Sequence, residues 1–171
     1  KLNTTLGKAI VVRKINRVKN DAHARFNAKS RTYQYHLIQD KNPFLEGLAY
    51  FNFKELDFTK MNKAAELLLG EKDFSCFSKS KTQTFTNNCD ITEAYWEKHN
   101  DEWVFTISAN RFLRNMVRSI VGTLIEIGEN KLQINDIEAI LASKSRKEAG
   151  KSVPAHGLYL VNIKYPKELF I

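Results

Sequence analysis

The chain has 171 residues, 43% of them hydrophobic and 27% charged, which suits one globular domain with enough apolar side chains for a core. It has no run of about 18 apolar residues to cross a membrane and no charged-then-apolar leader; Cys76 and Cys89 are too few for a disulfide scaffold or a C-x-x-C zinc site, so reduced thiols in a cytosolic protein are expected. The formal net charge is +8, and residues 1–31 hold nine Lys or Arg against Asp21 alone, so the whole excess lies at the N-terminal end and points to a polyanion such as a nucleic acid backbone.

In chain order, residues 9–15 read as a strand, and so does Phe26 to Ile38, where Tyr33, Tyr35 and Leu37 alternate with Thr32, Gln34 and His36. Lys41-Asn42-Pro43 breaks it. Asp57 caps a helix carrying Met61, Ala64, Ala65 and Leu68, which Gly70 stops. Residues 71–88 read as a polar loop with Ser75, Ser78, Lys79, Ser80 and Lys81. Residues 89–98 and 102–109 form a hairpin around His99-Asn100-Asp101. An apolar stripe of Phe112, Leu113, Met116, Val117, Ile120, Val121 and Leu124 predicts a helix over 112–127, ended by Gly128. Asn135 with Glu138 resembles a capping box for a short helix, and a last strand runs from Leu158 to Tyr165. From Phe26 the order is strand, helix, strand, strand, helix, strand. This is the order of a ferredoxin-like split β-α-β fold: an α+β sandwich with helices on one face of a largely antiparallel sheet.

Two places could carry chemistry. Arg111, Arg114 and Arg118, three and four apart, would share one face of the helix. Arg118 falls beside the apolar stripe, where a guanidinium either finds a carboxylate or phosphate or snorkels its head into water. Tyr33 and Tyr35 point to one side of their strand; they either stack on unpaired bases or pack in the core. His23, His36, His99 and His156 have no metal-ligand spacing, and no nucleophile elbow, Walker loop or dinucleotide glycine motif occurs.

Five segments together resemble the tRNA pseudouridine synthase A family. They are His23-Ala24-Arg25-Phe26; Arg31-Thr32-Tyr33-Gln34-Tyr35; Leu68 to Ser75 (LLGEKDFS); Phe112 to Gly122 (FLRNMVRSIVG); and Gly157-Leu158-Tyr159-Leu160. The resemblance implies isomerisation of uridine to pseudouridine in the anticodon stem-loop of tRNA, without cofactor or metal, by a cytoplasmic homodimer that flips the target base into a pocket. It implies that Tyr33 lies against the uracil and is a candidate proton acceptor, that Arg118 pairs with the catalytic Asp, and that Leu158 walls the uracil pocket. Arg25, Lys29 and Arg114 correspond to tRNA-backbone contacts. The family's catalytic Asp lies in an Arg-Thr-Asp-x-Gly motif upstream of His23-Ala24-Arg25-Phe26, and the sequence has no such motif. The expectation is therefore a C-terminal part of the enzyme, inactive alone: residues 1–25 a basic segment leading in from an N-terminal domain, residues 26–171 the C-terminal α+β domain. The competing readings are a stand-alone RNA-binding module of ferredoxin-like fold and a structural domain whose basic end contacts a protein.

Overall fold

A computed structural model describes residues 1–79 and 86–171, and its organising element is β1 (Ser30–Ile38). One edge of β1 pairs antiparallel with β5 (Glu102–Ala109), setting Tyr33 opposite Ile107 and Tyr35 opposite Phe105. Its other edge is shared. β6 (Leu158–Lys164) pairs antiparallel with Ser30–Tyr35, while the two-residue β2 (Tyr50–Phe51) pairs parallel with Leu37 and Ile38. Beyond β5 lie β4 (Asn88–His99) and then β3 (Gly70–Asp73), completing a mixed sheet of six strands.

Strand alternation assigns the two faces. Tyr35, Leu37, Phe105, Ile107, Ala94 and Trp96 join one buried cluster with Met61, Ala64 and Leu68 and with Val117, Ile120 and Leu124. These last two groups come from or adjoin α2 (Phe58–Glu66) and α3 (Met116–Gly128). The opposite face is polar: Thr32 and Ser108 share a hydroxyl hydrogen bond of 2.7 Å, and His36 meets Glu102 at 2.7 Å. The helices thus cover one face of the sheet, as the sequence suggests. Cys76 and Cys89 are both fully buried, and burial pushes their thiols up to about 12 and about 11. At pH 8 both stay in the unreactive thiol form. Iodoacetamide should therefore spare both cysteines in the folded protein and label both in guanidinium chloride. Stoichiometric labelling of a protein with native circular dichroism would contradict that burial.

Several elements match their sequence signals. Asp57 caps α2 by accepting from the Lys60 amide at 3.0 Å. The hairpin turns on Asn100, whose φ of +52° is one that asparagine tolerates. Others differ, each for a local reason. Residues 9–15 form no strand: Ile10, Val11 and Ile15 are mostly exposed, and the Asn3 side chain bonds both the N–H and the C=O of Val12, taking the place of a ladder. Phe26 lies in a turn, so the strand begins at Ser30. Gly70 has the left-handed φ expected of it, +86°, but opens β3 rather than ending α2, because 3-10-type bonds from Leu67, Leu68 and Leu69 already finish the helix. The expected loop 71–88 holds β3 and a 3-10 turn at Ser75–Phe77; Ser80 and Lys81 lie outside the described residues. Asn135 makes no side-chain cap on α4 (Asp136–Ser143); the Asp136 carboxylate instead accepts from the Gln133 amide at 2.7 Å.

α3 departs most from expectation. It starts at Met116, not Phe112, because Asn115 before it is left-handed, with φ +69°. Arg111 and Arg114 therefore precede the helix and share no face with Arg118. Eleven of its thirteen residues are buried, so a one-sided stripe is too narrow a description. The sheet covers one side of α3. The segment after α4 crosses another: Gly150 donates to Thr123 Oγ1 at 2.9 Å, Lys151 to Glu126 Oε1 at 3.2 Å, and the Asn115 amide group to Ser152 Oγ at 2.6 Å. This strap, residues 150–157, leads straight into β6.

Candidate active site

Tyr33 is half-buried on the helix-covered side of β1, its ring edge-on to Phe112 with centroids 5.1 Å apart. Phe112 belongs to the non-helical stretch before α3, so the left-handed Asn115 turn that displaces Arg111 and Arg114 also carries Phe112 to Tyr33. Tyr35, two residues on along the same face, is fully buried, and its hydroxyl donates to the Pro154 carbonyl at 2.9 Å. Of the alternatives open for the tyrosine pair, Tyr35 takes the core; Tyr33 keeps part of its surface accessible.

Arg118 sits in the first turn of α3 and is half-buried. Its Nε donates to the Val153 carbonyl at 2.7 Å, and the Val153 amide donates back to the Arg118 carbonyl at 3.2 Å. Among the described residues no carboxylate is ion-paired with it. Its charge is nonetheless felt at the Tyr35 phenol. Burial, and then Tyr50, push that phenol far above the usual range, while Arg118 pulls it the other way. Leu158 is half-buried opposite Tyr35 in the β1–β6 register. Tyr33, Leu158 and the α3 turn bearing Arg118 thus belong to one side of the sheet, and the strap is bonded to both Tyr35 and Arg118 there. A cavity of about 690 Å³ beside β2, bordered by Tyr50, Phe51, Pro154 and His156, includes none of the three.

Arg25, Lys29 and Arg114 are exposed. Arg25 stands over the Phe26 ring at 5.6 Å, and Lys29 faces Glu168 at 3.8 Å. The Arg114 carbonyl accepts from the Lys79 amide, tying it to the end of the 3-10 turn. His23-Ala24-Arg25-Phe26 closes into a tight turn, with His23 Nδ1 accepting from the amides of Arg25 and Phe26 and Ala24 O accepting from Tyr165 Oη. Arg31, not singled out from the sequence, clamps this turn to the sheet by donating to Ala28, Asn110 and Arg25 carbonyls. The strap was likewise missed; its signals are Gly150, the Val153-Pro154 pair and Gly157, all between α4 and β6.

Known proteins are similar to this chain along its length. The family model described as tRNA pseudouridine synthase matches residues 64–166. The chain is 51% identical over 173 residues to the tRNA pseudouridine synthase A of Porphyromonas gingivalis, an alignment covering 100% of the chain and 69% of that protein. The proteins of the same name from Parabacteroides distasonis and Bacteroides fragilis are 51% and 49% identical, each covered over 68% of its length. With nearly the whole chain aligned at this identity, the chain belongs to the tRNA pseudouridine synthase A family.

Proposed function

We propose that the protein isomerises uridine to pseudouridine in the anticodon stem-loop of tRNA, and that this chain supplies the C-terminal α+β domain of that enzyme over residues 26–171. The observation that carries the reading is the 51% identity to a tRNA pseudouridine synthase A along the whole chain. Four strands in the order β6-β1-β5-β4, all antiparallel and joined as strand, helix, strand, strand, helix, strand, support a ferredoxin-like split β-α-β domain. Residues 1–25 are then a basic lead-in segment; a bridge from Val18 to Phe170 joins it to the C-terminal end.

In the proposed reaction the bond from ribose C1′ to uracil N1 breaks and one to C5 forms, while the C5 proton leaves and N1 gains one. Tyr33 presents a phenol and an aromatic face on a rigid strand, suited to lie against the uracil and to take that proton. Arg118 holds its guanidinium with one donor fixed on Val153, suited to pair with the catalytic carboxylate and keep it ionised. Leu158 supplies an apolar wall. Arg25, Lys29 and Arg114 are exposed cations for the phosphate backbone. The reaction needs no electron or group transfer from outside, so the reading includes no cofactor or metal. A homodimer in the cytoplasm is part of the same family reading.

Assaying tRNA for pseudouridine tests this. The protein at the full length of its relatives should convert anticodon-arm uridines without added metal. The 171-residue chain alone should bind tRNA without converting it, since no Arg-Thr-Asp-x-Gly motif occurs in it. Inactivity of the folded full-length protein would overturn the reading, and conversion by the chain alone would show that the nucleophile lies within these residues.

A further inference from the structure

We infer that Tyr35 is a positioning residue, holding the strap so that Arg118 and Leu158 keep their places on the side of the sheet that carries Tyr33. The inference rests on the reading of Arg118 as a residue of the reaction pocket. Tyr35 is wholly buried, out of reach of any substrate, and a buried phenol requires a hydrogen-bond acceptor. Its acceptor is the Pro154 carbonyl, at 2.9 Å. Burial pushes the phenol up, so it stays a protonated donor across the working pH range.

The carbonyl immediately before Pro154 is that of Val153, which receives Arg118 Nε at 2.7 Å. Two successive carbonyls are thus held by two different elements, Val153 by α3 and Pro154 by β1. Between them stands a proline, which fixes its own φ and confines Val153 to extended backbone. With φ of Pro154 fixed, only its ψ is left to turn between the two carbonyls, so a shift at the Pro154 carbonyl passes in part to that of Val153.

Tyr35 also meets the far end of the strap. The His36 amide donates to the Gly157 carbonyl at 2.9 Å. A Cβ on Gly157 would come within 2.8 Å of the His36 oxygen and 3.0 Å of Tyr35 Cζ. The strap accordingly lies directly on the Tyr35 ring, one residue before Leu158. One neutral side chain sets both the carbonyl that orients Arg118 and the point where Leu158 enters the sheet.

Kinetics of Tyr35→Phe in the full-length protein separate this role from simple core packing. The substitution removes one oxygen and keeps the ring. A displaced reacting group lowers turnover by between about ten- and a hundredfold, so kcat should fall by that factor, with KM for tRNA within about twofold and native circular dichroism. Adding Tyr35→Phe to Arg118→Lys should cost less than the two single losses multiplied, because the tyrosine acts in part through the arginine. Gly157→Ala, which lifts the strap from its other end, should reproduce the kcat loss. An unchanged kcat in Tyr35→Phe, with Arg118→Lys impaired, overturns this inference alone, as do losses that multiply in the double variant. A fully active Arg118→Met removes the reading of Arg118, and this inference with it.

Discussion

Replacing Arg118 by methionine in the full-length protein should lower kcat for pseudouridine formation by about 10²–10³, the range seen when one preorganised electrostatic partner is removed from an active site. Methionine matches the length of the arginine stem and its packing, but carries no charge and no Nε donor. The lost bond to the Val153 carbonyl, at 2.7 Å, should cost about 1.5–3 kcal/mol, as charged hydrogen bonds do. For a chain of this size that is a fall of several degrees in Tm, well short of unfolding. Arg118→Lys keeps the charge but not the planar fork, so it should recover only part of kcat. The pH–rate profile adds a signature that packing loss lacks. If Arg118 keeps a catalytic carboxylate ionised, its removal raises that carboxylate's pKa, and the acidic limb of the profile should move to higher pH. Wild-type turnover in a folded Arg118→Met protein would show that the guanidinium has no part in the reaction.

Much of this arrangement was legible in the sequence, and the rest was not for identifiable reasons. Alternation in Tyr33, Tyr35 and Leu37 and in Trp103, Phe105 and Ile107 gave the two central strands, because a sheet with one covered face writes its register into its own residues. α2 announced itself by an Asp cap and helical spacing. β3 was hidden because it is a short edge strand, Gly-Glu-Lys-Asp, held by backbone pairing with β4 and not by apolar residues. The false strand at 9–15 shows the converse: Ile10, Val11, Val12 and Ile15 have strand composition, but among the described residues no strand pairs with them. The start of α3 was misplaced because Phe112 and Leu113 are apolar and in helical phase with it, while the one local hint of the left-handed turn that excludes them is that residue 115 is an asparagine, which tolerates that conformation. That error carried Arg111 and Arg114 with it. Arg118 survived it, since it lies within the true helix. The long-range hydrogen bonds from Arg118 to Val153 and from Tyr35 to Pro154 span 35 and 119 residues, and no local pattern records them.

Gly122 is where stability and catalysis should separate from each other most clearly. It lies at the middle of α3, where glycine ordinarily weakens a helix by about 0.5–1 kcal/mol relative to alanine. Here a Cβ would stand 1.7 Å from the Lys151 carbonyl oxygen and 2.9 Å from its carbon. Those are backbone atoms of the strap, pinned on either side by Gly150 to Thr123 and by Val153 to Arg118. No rotamer change can make room, so Gly122→Ala must lift the strap off the helix despite the gain in helix propensity. Overpacking of this kind costs about 1–3 kcal/mol or more, and the displaced Val153 carbonyl would release Arg118. Both Tm and kcat should fall, the latter by at least about tenfold. Gly128→Ala is the matched comparison. Its Cβ would meet Met61 Sδ at 2.5 Å, a flexible thioether of α2 rather than the backbone of the strap. It should lower Tm but leave kcat unchanged. Thermal melts and tRNA turnover on the two full-length variants decide the matter. If Gly128→Ala loses turnover in proportion to its Tm, or Gly122→Ala keeps it, the contact between α3 and the strap governs folding alone.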